Sequence, residues 1–244
     1  FWLIFTVWKY QTHKRTKKIL EFVSYLLSWL KNNYSRISFS LHHSFEDLRS
    51  FLWFHFKEPD KGLFNLNIRY SALLDLNGIC SFDKVIANVR SVRRQEYRRC
   101  LKNGYVIEDT SNVEVLDYLH KMTFERQGLK RSKGEEVLTT SLAKAAVEQG
   151  FGRILLCKSP DQEPASASLF LFDHKSAYYL IGANNPEHRN SGSGTVIILE
   201  QIQRSIEQGI KSIDFLGVNS PNRGDFKTSF NARLVQYVNV IWGG

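Results

Sequence analysis

The sequence predicts an α/β (α+β) protein: a mixed, mostly antiparallel central sheet flanked by helices. Three observations predict it. Residues 153–158, 165–172 and 177–182 form three short apolar runs separated by the turn residues Pro160-Asp161 and Asp173-His174-Lys175, the pattern of a meander. Residues 16–33, 83–102 and 194–208 carry apolar side chains at three- and four-residue spacing, the pattern of packed helices. The C-terminal part then alternates strand, loop, helix and strand.

In chain order, Ile19, Phe22, Val23, Leu26, Leu27 and Leu30 define the first helix, and residues 36–41 alternate as a strand. Ser44, with Asp47 three residues on, reads as the N-cap of a short helix reaching Trp53. Pro59, Asp60 and Gly62 mark a loop before a strand at 67–76. A second unit is expected from Ser81, dividing the chain into 1–80 and 81–244. It opens with one long helix over 83–102, whose stripe of Val85, Ile86, Val89, Val92, Cys100 and Leu101 backs an outer face of Arg90, Arg93, Arg94, Arg98, Arg99 and Lys102. Gly104 ends that helix and a strand at 105–107 follows. Helices over 112–128 and 139–150 precede the meander. The last helix, 194–208, shows Ile198, Leu199, Ile202 and Ile206 on one face and stops at Gly209. A strand at 212–218, a loop or short helix around 219–230 and a strand at 234–242 complete the chain.

Lys and Arg number 33 against 24 Asp and Glu among 244 residues. That excess is compatible with a polyanionic partner, whether nucleic acid, a phosphorylated metabolite or an anionic membrane surface, and equally with a basic surface that serves only solubility. Cys80, Cys100 and Cys157 have no metal-ligand spacing, which predicts free thiols, with Cys157 in the core. The seven histidines form no ligand motif, so no metal is expected. The apolar run Phe1–Trp8, stopped by Lys9, and the segment Ile19–Leu30, broken by Glu21 and two serines, both fall short of the roughly 20 apolar residues of a spanning helix. A chain beginning Phe-Trp-Leu-Ile-Phe without Met reads as a fragment, and its first 65 residues as the rear of an α/β unit.

The stretch richest in chemistry is Gly182 to Gly194, which leaves a strand and enters a helix. Gly192 and Gly194 let a backbone approach a ligand closely, and the helix start adds unpaired N–H groups and the positive end of its dipole. Arg189 can add a charge-assisted contact. Together they suit a pyrophosphate; the same residues also describe a flexible Gly/Ser loop capping a helix. Asp214 lies in an apolar strand. It is either a base or amine anchor at the strand end, or a buried carboxylate held by loop N–H groups. The arginine-rich helix is either a docking face for an anion, through residues such as Arg94 and Arg98, or a solvated face.

Arg189-x-x-Gly192-x-Gly194 resembles the R/Q-x-x-G-x-G/A loop of the GNAT acyltransferases, which holds the pyrophosphate of acyl-coenzyme A. Three further segments resemble the Fem-like branch: the basic helix from Arg93 to Gly104 with its following strand, Ile213-Asp214-Phe215-Leu216-Gly217 against "FDF-x-G", and Phe226-Lys227-Thr228-Ser229-Phe230 against "FK-x-x-F". The likeness covers about residues 66–244. It implies a GNAT domain preceded by the rear part of a second GNAT-like unit. Acyl-coenzyme A would be gripped by Arg189, Asn190, Ser191, Gly192, Ser193 and Gly194, with its thioester against backbone near Leu180 and Gly182, between splayed strands. Asp214 and Lys227 are then the candidate catalytic residues, and Arg94, Arg98 and Phe226 the candidate acceptor-binding ones. Lys227 would face the acceptor's phosphate or the developing charge, unless it is an exposed loop lysine. The implied reaction moves an acyl group to an amine of a cell-envelope precursor, an amino sugar, peptide or lipid-linked molecule, at a cytoplasmic or membrane-peripheral location. The tRNA-dependent Fem enzymes usually lack so clean a loop, which favours acyl-coenzyme A over aminoacyl-tRNA as donor. A tRNA-dependent aminoacyltransferase and a non-catalytic GNAT-like binding module remain the alternatives.

Overall fold

A computed structural model describes residues 12–243; the run Phe1–Trp8 lies outside the described residues. The elements are α1 (Thr12–Asn33), β1 (Ile37–Ser40), α2 (Arg49–Leu52), a 3-10 turn (Pro59–Lys61), β2 (Asn65–Asp75), α3 (Phe82–Asn88), α4 (Ser91–Lys102), β3 (Val106–Thr110), α5 (Val113–Glu125), α6 (Lys133–Glu148), β4 (Gly152–Lys158), β5 (Pro164–Phe172), β6 (Ser176–Asn184), a second 3-10 turn (Pro186–His188), α7 (Ser193–Glu207), β7 (Ser212–Gly217), α8 (Pro221–Thr228) and β8 (Arg233–Trp242).

The chain forms two compact units, one running to Tyr70 and taking back the chain from Val235, the other Ser71–Leu234. Ser81, where the sequence suggests a new unit, is the N-cap of α3 inside the larger one, its hydroxyl accepting from the Asp83 N–H. In the smaller unit β1 pairs antiparallel with β8, Ile37 opposite Trp242. Val23 and Leu27 of α1 pack with Phe51, Phe64, Val238 and Val240. Ser44 does not cap α2: it bonds the ring of His42, and α2 starts after Leu48 with no side-chain cap.

In the larger unit the strands run β2-β7-β6-β5-β4-β3. Every neighbouring pair with a resolved register there is antiparallel except β6 with β7, which is parallel. One face is covered by α4 and α7 over Leu155, Cys157, Phe170, Tyr179 and Phe215. The other is covered by α5 and α6 over Ile154, Leu156, Ala167, Leu169 and Ile181. Alternate residues of β4 and β5 serve opposite faces, as strand geometry requires. Val196, Ile197, Ile198, Leu199 and Ile202 of α7 are all buried, more of the helix than one stripe would cover.

Two helices differ from the sequence expectation. The predicted helix 83–102 is broken: Val89 and Arg90 take extended conformations, with Val89 buried and the Arg90 N–H donating to the Ser229 carbonyl at 2.9 Å. No Gly or Pro marks the break, because a tertiary hydrogen bond makes it. The predicted helix at 139–150 begins earlier, after Ser132, where Ser132 and Glu135 form a capping box. No helix among the described residues is long and apolar enough to cross a membrane.

Candidate active site

The loop between β6 and α7 is built from side-chain and backbone caps. The Asn185 side chain accepts from the Glu187 N–H and starts the 3-10 turn. The Ser191 N–H and hydroxyl both donate to the His188 carbonyl, at 3.0 and 2.7 Å, and the Ser193 N–H donates to Ser191 Oγ. The amides of Asn190, Gly192, Gly194 and Thr195 have no hydrogen-bond partner among the described residues. They form the unpaired start of α7, where a helix carries partial positive charge. Arg189 stands exposed beside them. The loop is thus partly closed on itself and partly open.

The two glycines are explained by packing within the chain. Gly192 has φ of +90°, and a Cβ there would lie 2.8 Å from the Glu96 carbonyl oxygen. A Cβ on Gly194 would lie 2.9 Å from Asn184 Oδ1. The close approach is therefore made to α4 and β6. Helix α4 also braces the loop through side chains. Arg99 donates to the Asn190 carbonyl at 2.8 Å, and the Glu96 carboxylate accepts from Arg93 and from the Thr195 hydroxyl. Tyr105 bonds His188 Nδ1 at 3.0 Å.

Beside the loop the sheet forks. The β6–β7 register holds Ser176 opposite Ser212, Ala177 opposite Ile213 and Tyr178 opposite Asp214, and ends there. Strand β6 continues to Asn184 and β7 to Gly217, so residues 179–184 and 215–217 line the two arms of an opening. The pairing of β5 with β6 slips by one residue, leaving Leu180 unmatched between Tyr179 and Ile181. This bulge brings Tyr179 and Gly182 to one face: a Cβ on Gly182 would overlap the Tyr179 hydroxyl. The Tyr179 ring packs against Phe170 and Phe215, and burial raises its phenol pKa above the ordinary value.

The sequence-predicted catalytic pair meets at this fork. Lys227, on α8, is buried; its ammonium donates to the Gly217 carbonyl at 3.1 Å and lies 5.4 Å from the Tyr179 ring centroid. Burial lowers its pKa to about 8, assisted by the nearby Arg223 charge and opposed by Asp214. Lys227 is therefore no exposed loop lysine. Asp214 accepts from the Ser71 hydroxyl and from the Leu216 N–H at 2.7 Å. Leu216 has φ of +57°, a conformation bulky residues avoid. There β7 bulges against β2, whose register jumps between Ser71 and Leu73. The Asp214 carboxylate thus stitches a bulge that ends at Gly217, whose carbonyl anchors Lys227. Phe226 packs edge-on to Phe230 and carries the Arg93 guanidinium 4.7 Å over its ring, on the inner side of α4.

Most of the arginine-rich face is engaged within the protein. Arg90 pairs with Asp225, Arg94 donates to the Ala87 carbonyl at the end of α3, and Arg93 and Arg99 act as described. Arg98 is exposed and makes no hydrogen bond or ion pair among the described residues. Sequence reasoning missed Arg99 as a loop brace and Ser71 as the partner of Asp214. Neither has a local signal, since both contacts join residues far apart in the chain. Among the described residues no group of His, Cys, Asp or Glu side chains is arranged to hold a metal ion.

A parallel strand pair that forks beside a glycine-entered helix is the arrangement the loop motif implies. The family model "Acetyltransferase (GNAT) domain" matches residues 87–228, more than half of the chain. The chain belongs to the GNAT acetyltransferase family. The fold is Fem-like within that family. It is similar to the crystal structure of FemX (TM-score 0.66, 14% identity, covering 90% of this chain and 76% of that one). It is also similar to the C-terminal domain of a protein assigned as a lysylphosphatidylglycerol synthetase from Agrobacterium fabrum (TM-score 0.60, 12% identity, 92% and 73% covered). A tandem GNAT protein from the clavulanic acid biosynthesis pathway matches with TM-score 0.55 at 11% identity, over 97% of this chain and 72% of that one. No curated protein matches the sequence. At such identities the likenesses speak for the GNAT fold alone.

Proposed function

We propose that this GNAT protein transfers an acyl group from acyl-coenzyme A to an amine of a cell-envelope precursor, an amino sugar or a peptide. The observation that carries the reading is the fork between β6 and β7 lying next to the unpaired amides of Gly192, Gly194 and Thr195. A pyrophosphate suits those amides and the Arg189 guanidinium. An extended acyl-bearing arm suits the fork, with the thioester carbonyl near the Leu180 bulge. Ser191 and Ser193 shape the loop, while Asn190, held by Arg99, presents its free amide.

In this reading the amine nitrogen bonds to the thioester carbon, the carbonyl oxygen takes up negative charge, and the carbon–sulfur bond then breaks. The thiolate leaves and the amine sheds a proton to solvent or to a base. The Lys227 ammonium, held in a poorly solvated place, stabilises that transient charge. Asp214 supports it by fixing the β7 bulge and hence the Gly217 carbonyl. Phe226, beneath Arg93, ties α8 to α4, Arg94 ties α4 to α3, and Arg98 is an exposed basic residue able to meet an anionic acceptor.

Calorimetric titration of the full chain with coenzyme A tests the donor. Binding that weakens in Arg189→Ala supports the proposal; no binding at any loop-intact concentration removes it. Aminoacyl-tRNA as donor is the second reading, favoured by the likeness to FemX and by the exposed Arg98. It predicts tRNA affinity that falls steeply with salt and drops in Arg98→Glu.

A further inference from the structure

Helix α1 has two apolar faces. Ile19, Val23, Leu27 and Leu30 point into the core of the smaller unit. Phe22, Tyr25, Leu26 and Trp29 point outward and are 36–71% exposed. Their spacing of three and four residues makes a continuous stripe, extended by Tyr34, which meets the Trp29 ring edge-on at 6.0 Å. Counting back from Phe22 in steps of four reaches Lys18 and Lys14, both exposed, so a basic N-terminal end leads into the apolar, largely aromatic stripe. Glu21 is the one acidic residue of α1, and it lies beside Lys17 at 3.8 Å.

From this face we infer that α1 is a docking surface for an anionic lipid bilayer, lying along it. Trp and Tyr are the residues that favour the boundary between headgroups and acyl chains, and Lys near that boundary is drawn to anionic headgroups. A helix of mixed composition lies on a bilayer and does not cross it. Charge decides between occupants: a second copy would bring the same cationic end with no acidic face to meet it, whereas an anionic bilayer complements both halves of the line. The inference is independent of the acyl-transfer reading, since α1 contains none of the fork or loop residues.

The test is sedimentation of the full chain with vesicles of phosphatidylcholine alone or mixed with phosphatidylglycerol. Binding should require phosphatidylglycerol and weaken in high salt. Lys14→Glu with Lys18→Glu should lower it by on the order of fivefold per residue. Tyr25→Ser with Trp29→Ser should lower it by roughly tenfold. Unchanged thermal melting of each variant establishes that the fold is intact; the lysine pair touches no core, so it remains informative if the aromatic pair unfolds. Equal binding to neutral vesicles, or binding that neither pair reduces, overturns the inference. A concentration-dependent dimer dissolved by Trp29→Ser, without vesicle binding, would give the face to a second copy instead.

Discussion

The Lys227 ammonium lies over the face of the Tyr179 ring, 5.4 Å from its centroid, while donating to the Gly217 carbonyl. Burial strips the ammonium of water, and that, with the Arg223 charge nearby, is why its pKa falls to about 8. Such a lysine is charged at neutral pH but only just, which makes its two protonation states separable by experiment.

For a cation acting on developing charge, kcat/KM should fall as pH rises through about 8. Lys227→Met should lower kcat by about 10²–10³-fold with little change in coenzyme A affinity, and should remove the alkaline limb. A pH–rate profile of both proteins checks this. The stability effect has the opposite direction. The folded state releases this proton near pH 8 and the unfolded chain near 10.5. Between those values the unfolded chain holds more protons, so stability should climb with pH through that window and be flat in Lys227→Met.

Gly192→Ala should destabilise the larger unit by about 2 kcal/mol or more, since a left-handed conformation and the Glu96 carbonyl both oppose a methyl group. Denaturant melts measure it. Arg189→Ala should leave the melt unchanged and weaken coenzyme A binding by roughly tenfold, so the two variants separate shape from contact.

Gly182 and Tyr179 are interlocked, and their substitutions should not be additive. Gly182→Ala alone should cost about 1–3 kcal/mol, and less in a Tyr179→Phe background, where the overlapping hydroxyl is gone although ring carbon Cζ, 2.6 Å from the added Cβ, must still shift. A double-mutant cycle gives the coupling; additive costs would refute the interlock.

His120 accepts from Arg131, whose side chain is almost wholly buried and pairs with Asp117 at 2.6 Å. Burial and the Arg131 charge hold the imidazole pKa below 6.5. The unfolded chain therefore takes up this proton first as pH falls through 6.5, so acid should destabilise the α5–α6 connection. His120→Gln should flatten that part of the stability curve, as thermal melts across the range would record.

Elements defined by local pattern were legible in the sequence. The meander, α7 with its Ile198, Leu199 and Ile202 stripe, and the strand carrying Asp214 all follow from periodicity and turn residues. The motifs also singled out Lys227 and Asp214, whose charges the fold brings within reach of each other. Features made by distant partners were not legible. The kink at Val89–Arg90 depends on the Ser229 carbonyl, and the role of Gly192 depends on Glu96. The arginine run shows the limit well: residue type suggested one docking face, whereas Arg90, Arg93, Arg94 and Arg99 each found a partner inside the protein. The fork is likewise invisible locally, because each arm reads as an ordinary strand and only the end of their pairing separates them.

Past Tyr178 and Asp214 the sheet leaves its ladder unfinished. A slender molecule bearing amide groups, laid into that gap, could supply rungs the polypeptide omits and act as a temporary extra strand. Occupancy would then stiffen the seam between β6 and β7, slowing hydrogen exchange of backbone amides at 179–182 beyond what a ligand held by its phosphates alone could produce.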